Sequence, residues 1–198
     1  MGKAKRKGNR SAPGNITPLL EPLVALQKLL EHFDNQGVII GGIAASLLGK
    51  PRFTADIDAV ILLSVEDLPK LIDAASEQGI TPRIADAETF ARKHRVLLLQ
   101  HRASGTNIDL SLGILPFEHE MVARCQTRKI GDLLLRLPAP EDLIILKAVA
   151  HRPQDLLDIQ AIAISNPELD KERVRFWVEQ FGAALEFPDL WVIISKLL

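Results

Sequence analysis

The stretch Val38-Ile39-Ile40-Gly41-Gly42-Ile43-Ala44-Ala45-Ser46, followed shortly by Arg52-Phe53-Thr54-Ala55-Asp56-Ile57-Asp58, decides how this chain folds. The apolar run Val38 to Ile40 reads as a buried β-strand. Two glycines after it let the backbone turn sharply and lie close to a ligand. Ile43 to Leu48 predicts a short helix, whose N-terminal N–H groups would face the same spot and favour an anion such as a triphosphate. In the second strand Asp56 and Asp58 share one face and Ile57 takes the other, because side chains alternate with period two. Carboxylates placed in this way repel each other unless a cation lies between them. Hard oxygen donors suit Mg²⁺, which keeps several waters and uses one or two carboxylates plus substrate phosphates. The pattern therefore predicts a metal-dependent phosphoryl-transfer site. Its halves taken alone are common: glycine pairs mark ordinary turns, and Asp-x-Asp also occurs in calcium sites, sugar transferases and solvated strand ends.

Two later segments extend the pattern. Asn107-Ile108-Asp109-Leu110-Ser111 sets an acidic residue inside an otherwise apolar run, where a lone carboxylate is unfavourable; an exposed strand end is the alternative. Pro140-Glu141-Asp142-Leu143-Ile144-Ile145-Leu146-Lys147 leads into Arg152-Pro153-Gln154-Asp155-Leu156-Leu157-Asp158-Ile159. Lys147 could equally be a helix-surface lysine that snorkels past apolar neighbours. Asp155 could simply charge the first turn of a helix opened by Pro153. Asp155 and Asp158 share a helix face at i and i+3, so that one of them could orient Lys147 or Arg152 rather than bind a ligand.

The order strand, Gly-Gly, helix, then Arg-x-Thr-x-Asp-Ile-Asp resembles the nucleotidyltransferase superfamily related to DNA polymerase beta. The lysine and the Arg-x-x-Asp-x-x-Asp-Ile segment resemble the branch of that superfamily containing the AbiEii-like abortive-infection toxins. The resemblance spans Val38 to Ile162 and rests on four separated motifs in the right order. It implies an α/β (α+β) fold, a mixed sheet flanked by helices with a C-terminal helical extension. It implies transfer of a nucleoside monophosphate from a nucleoside triphosphate to an acceptor hydroxyl, with Mg²⁺ or Mn²⁺. Asp56, Asp58 and Asp109 would be the catalytic and metal-holding carboxylates, with Asp109 completing a second metal position. Gly41, Gly42 and Ser46 would cradle phosphates, and Arg52, Thr54, Lys147, Arg152, Asp155 and Asp158 would complete the nucleotide site. The acceptor implied is RNA, a protein or a small molecule, and the toxin branch implies a neutralising antitoxin partner. A catalytically silent nucleotide- or partner-binding module of the same fold is the alternative. A DNA-binding regulator would need a basic recognition helix, which Arg173 to Leu198 does not supply.

Composition sets limits around these expectations. With 198 residues, 47% hydrophobic content and a formal net charge of −1, the chain has ample material for a core. The single cysteine, Cys125, excludes an intramolecular disulfide and reads as semi-buried in a helix. No stretch is long and apolar enough to span a membrane, and the basic N-terminus lacks the apolar run of a secretory signal, so a cytoplasmic protein is expected. Residues 1–16, with Lys3, Lys5, Arg6, Lys7 and Arg10, read as a flexible basic arm, either a solvated tail or a contact for nucleic-acid backbone. A nucleotidyltransferase core over 17–137 and a helical region over 138–198 follow.

The coarse element reading begins with Thr17 as N-cap and Pro18 opening a helix that Gly37 ends. Ile57 to Leu63 forms the metal-bearing strand, and Ser64 with Asp67 predicts a capping box for a helix through Gln78. Val96 to Gln100 and Asn107 to Ile114 form a hairpin turning at Ser104-Gly105, which sets Asp109 beside Asp58. Phe117 to Cys125 reads as helix, Lys129 to Leu137 as one or two strands, and the remainder as helices. Lys147 and His151 stand at i and i+4 on one helix face, which would aim both at the cleft if Lys147 points there; with no partner spacing for a metal, His151 reads as structural rather than catalytic. Trp177, Phe181, Leu185, Phe187 and Trp191 read as core, with an interface as the alternative.

Overall fold

The computed structural model describes residues 17–198, and the expected basic arm lies outside them. A 3₁₀ turn at Thr17–Leu19 leads into α1 (Leu20–His32), whose Leu23, Leu26, Leu29 and Leu30 are fully buried. The expected end of this helix at Gly37 is corrected. The helix stops at His32, and Asp34 and Asn35 reverse the chain with φ of 53° and 56°, a conformation that short polar side chains tolerate. Gly37 instead opens β1 (Gly37–Ile40), where a Cβ would fall 2.7 Å from a Leu30 methyl and 2.6 Å from the Val60 carbonyl oxygen. Its lack of a side chain lets α1 approach the sheet.

The chain then forms α2 (Gly41–Leu48), β2 (Ile57–Ile61), α3 (Leu68–Glu77), β3 (Ile80–Pro82), α4 (Ala87–His94), β4 (Val96–His101) and β5 (Asn107–Leu112). The Ser64–Asp67 capping box forms on a 3₁₀ turn ahead of α3. After β5 come α5 (Pro116–Ala123), β6 (Gln126–Ile130), β7 (Leu133–Leu137), α6 (Pro140–Ala150), α7 (Pro153–Ser165), α8 (Lys171–Ala184) and α9 (Leu190–Ile194). The fold is thus a mixed sheet flanked by helices, with a helical C-terminal extension. Cys125 lies between α5 and β6 rather than inside a helix; it is half-buried, which pushes its thiol pKa up.

The main sheet has the order β1-β2-β5-β4-β3, parallel only between β2 and β5. Along β4 and β5 every second residue is buried: Leu97 and Leu99, then Ile108, Leu110 and Leu112, with Ile57, Ala59 and Ile61 beside them on β2. The other face of β5 carries Asn107, Asp109 and Ser111, each half-buried. The β6–β7 hairpin lies against β1, where Arg136 Nε donates to the Gly37 carbonyl at 3.2 Å.

Helix α6 packs against α2, α7 and α8. Asp142 on α6 is wholly buried and accepts from Arg173 Nε of α8 at 2.7 Å; Arg173 Nη1 in turn reaches Glu120 of α5 at 2.7 Å. Burial pushes the Asp142 carboxyl up and the Arg173 bond pulls it back. Trp177 and Phe181 stack on each other and both meet Phe117 edge-on, with ring centroids 5.2 and 5.5 Å from it. Trp177, Phe181, Phe187 and Trp191 complete the core as expected, whereas Leu185 is exposed. Among the described residues, no helix is long and apolar enough to cross a membrane.

Candidate active site

The site begins where β1 becomes α2. Gly41 takes φ of +64°, and a Cβ there would sit 2.0 Å from Asp58 Oδ2. It must therefore be glycine twice over, for the turn and for the carboxylate beside it. A Cβ at Gly42 would meet Thr54 Oγ1 at 2.6 Å and Arg52 Nη2 at 3.3 Å. The Gly42 backbone N–H lies toward the Asp58 carboxylate and favours its charged form. The helix opens at Gly41, two residues ahead of the expected Ile43, because the turn itself supplies its first residues. Ser46 is buried, and its hydroxyl donates to the Arg52 carbonyl at 2.9 Å and accepts the Arg52 N–H at 3.2 Å. Thr54 Oγ1 donates to the Asp56 carbonyl at 3.3 Å. These two hydroxyls hold the loop that carries Arg52 to Asp56.

The carboxylates are set by the sheet. Asp58 and Asp109 are register partners on the parallel strands β2 and β5, so their side chains lie on one face. Asp56 is exposed, in the bend just ahead of β2 and not within a strand as expected, since pairing with β5 starts at Ile57. Burial holds the Asp58 carboxyl above its ordinary range; the negative charges of Asp109 and Asp56 push the same way, against Lys147 and the Gly42 N–H. A like-charged cluster only partly compensated suits a cation. The donor set that fits one is Asp56 with Asp58, completed by phosphate oxygens and water. Among the described residues, no three His, Cys, Asp or Glu side chains converge closely enough to hold a metal. Asp109 is instead paired with Arg83, whose Nη1 lies 2.5 Å from Asp109 Oδ1. Arg83 was not legible in the sequence: it follows the short Ile80-Thr81-Pro82 segment with no spacing that ties it to Asp109.

A second charged cluster closes the opposite side. Lys147 on α6 is 5% exposed, with Nζ 2.9 Å from Asp155 Oδ1 and 2.6 Å from Asp158 Oδ2, both on α7. Asp158 also accepts two bonds from Arg52, from Nε and Nη2, each 2.9 Å, and one from Gln154 at 3.1 Å. Burial alone would raise the Asp158 carboxyl, yet the bonds from Arg52, Lys147 and Gln154 outweigh it and hold it low. Arg152 is exposed at the start of α7, where its backbone N–H donates to Asp155 Oδ2 at 3.2 Å. The expected alignment of His151 with Lys147 is corrected: His151 ends α6 with φ of 50° and packs its ring edge-on against Phe187. A left-handed cap breaks the i, i+4 geometry.

The sequence model of a nucleotidyltransferase of unknown function (DUF6036) matches residues 19–181. This chain belongs to that family. No curated protein sequence matches it. Among solved structures, an antigenic nucleotidyltransferase-like protein from Paracoccidioides brasiliensis superposes with a TM-score of 0.55 at 16% identity, covering 93% of this chain and 94% of that one. The antibiotic-resistance factor ANT(2'')-Ia superposes with a TM-score of 0.53 at 18% identity, covering 83% of this chain and 95% of that one. At such identities the likeness shows the nucleotidyltransferase fold.

In this nucleotidyltransferase a groove of about 680 Å³ runs from the Arg52–Asp158 pair along the outer side of α7. Gly49, Lys50 and Pro51 form one wall, and Gln154, Leu157, Ala161 and Ile164 the other. Its volume is that of a small-molecule site, and it shares Arg52 and Asp158 with the charged cluster.

Proposed function

We propose that the site formed by Gly41-Gly42, Asp56, Asp58 and Lys147 transfers a nucleoside monophosphate from a nucleoside triphosphate to an acceptor hydroxyl, releasing pyrophosphate. The observation that carries this reading is the pairing of Asp58 and Asp109 in register on parallel strands, with Asp58 directly against the left-handed Gly41 turn. Asp56 and Asp58 would hold a divalent cation, Mg²⁺ or Mn²⁺, which when bound offsets charge on the phosphates. The chain's own residues do the rest by position and charge, since phosphoryl transfer asks little covalent work of the protein. The Gly42 N–H favours the charged Asp58 carboxylate, and the first turn of α2, which has no side-chain cap, offers N–H groups to the triphosphate. Lys147 and Arg52 stabilise charge developing on the leaving pyrophosphate. Asp155 and Asp158 hold those two cations in place, and Ser46 and Thr54 hold the loop. Arg152 would act only from the rim.

The acceptor class proposed is a hydroxyl of RNA, protein or a small molecule. The resemblance of the Lys147 to Ile159 segment to AbiEii-like proteins supports a toxin held in check by an antitoxin. The test is incubation of the purified protein with each labelled nucleoside triphosphate, Mg²⁺ or Mn²⁺, and total cellular RNA and protein, beside an Asp56→Asn, Asp58→Asn double variant. Label entering one acceptor class with the wild type alone is expected. Equal labelling by the double variant would overturn the reading, and nucleotide binding without any transfer would favour the silent module.

A further inference from the structure

Given the nucleotidyltransferase reading, we propose that the Arg83 guanidinium serves as the permanent counter-cation of Asp109, so that the site takes one divalent ion, at Asp56 and Asp58, and none at Asp109. Arg83 is not a loose surface side chain. Its backbone N–H donates to the Leu98 carbonyl at 3.1 Å, and Leu98 is the register partner of Asp109 across β4 and β5. Its Nη1 donates both to the Leu99 carbonyl at 3.2 Å and to Asp109 Oδ1 at 2.5 Å. Three anchors on two neighbouring strands therefore aim one guanidinium across β4 onto the carboxylate. Arg83 is the more shielded partner, its side chain 24% exposed against 37% for Asp109, so the pair is screened less than one fully in solvent.

A guanidinium keeps its charge at any pH a protein tolerates. A second divalent ion at Asp109 would have to approach that fixed positive charge or displace it, and displacement would leave Arg83 partly desolvated without its carboxylate. The sheet places Asp58 and Asp109 side by side, and Arg83 reaches Asp109 from the β4 side. Arg83 is thus a positioning residue: it fixes the Asp109 carboxylate and supplies in protein the positive charge that a second ion would otherwise bring.

The count of bound ions tests this directly. Full-length wild type, Arg83→Ala, Arg83→Lys and the Asp56→Asn, Asp58→Asn double variant are titrated with Mn²⁺ at a saturating non-hydrolysable triphosphate. Ions per chain are counted by equilibrium dialysis, and ion–ion coupling is read from the Mn²⁺ electron paramagnetic resonance spectrum. One uncoupled ion is expected in the wild type and in Arg83→Lys, which keeps the charge. Arg83→Ala is expected to bind two, with the broadened spectrum of a coupled pair. Two coupled ions in the wild type, or one in a folded Arg83→Ala, would overturn the proposal. If Arg83→Ala does not fold, the wild-type count decides alone. Unchanged ion and nucleotide binding in the double variant would overturn the functional reading, and with it this assignment.

Discussion

Asp58 is a carboxylate under electrostatic tension. Burial first, then the charges of Asp109 and Asp56, hold its carboxyl above the ordinary range. The folded protein therefore binds a proton here more readily than the unfolded chain. The associated stability is complete below the unfolded pKa and is lost as pH rises through the raised folded one. Asp158 has the opposite sign: although burial works against it, Arg52, Lys147 and Gln154 hold it low, so its contribution is present above the unfolded pKa and disappears as pH falls through the folded one. Asp58→Asn removes a carboxylate that is unfavourable when ionised. In the absence of divalent ions the variant is expected to melt at a higher temperature than wild type at neutral pH and at nearly the same temperature in acid below the carboxylate range. Thermal melts across pH check this, and a variant that melts lower at neutral pH would contradict the electrostatic account.

The junction of β1 and α2 is the element on which the site depends, because a strand passes into a helix through one left-handed residue that also makes room for a carboxylate. Gly41→Ala imposes both a strained backbone and a clash. It is expected to cost roughly 1–3 kcal/mol in stability, measured by urea denaturation, and to abolish nucleotide transfer. A fully stable, active variant would show that the turn has another solution. This junction was legible because its signals are local: an apolar run, a glycine pair, and an acidic alternation a few residues on. The β4–β5 hairpin and the Ser64–Asp67 cap were legible for the same reason. Where the meaning of a residue lies across the sheet, the sequence misled or was silent. Gly37 reads locally as a helix stop, yet Leu30 and Val60 explain it. His151 is structural, as its lack of metal-partner spacing implies, but the helix face it is expected to share with Lys147 is lost to a left-handed cap. Arg83 acquires a role only once β3 and β4 bring it over Asp109.

Across the whole molecule, the C-terminal helices are fastened to the sheet region by charge as well as by packing. Lys147 of α6 and Arg52 of the α2–β2 loop meet on Asp158 of α7, so three distant segments share one buried node. Lys147→Met would leave Asp155 and Asp158 without their shared ammonium. Removing one partner of a buried ion pair costs about 3–5 kcal/mol, and a loss of that size is expected in chemical denaturation. A loss near zero would mean that Arg52 and water satisfy Asp158 unaided. The parallel pairing of β2 with β5 has a consequence for the history of the chain as it is made. The Gly-Gly turn, Asp56 and Asp58 leave the ribosome early, but the strand that carries Asp109 follows only after α3, β3, α4 and β4, and the lysine and its aspartates come later still. Domains fold as units while synthesis proceeds from the N-terminus. A half-made chain therefore holds only part of the proposed site, and the set is complete only when the last third of the polypeptide has emerged.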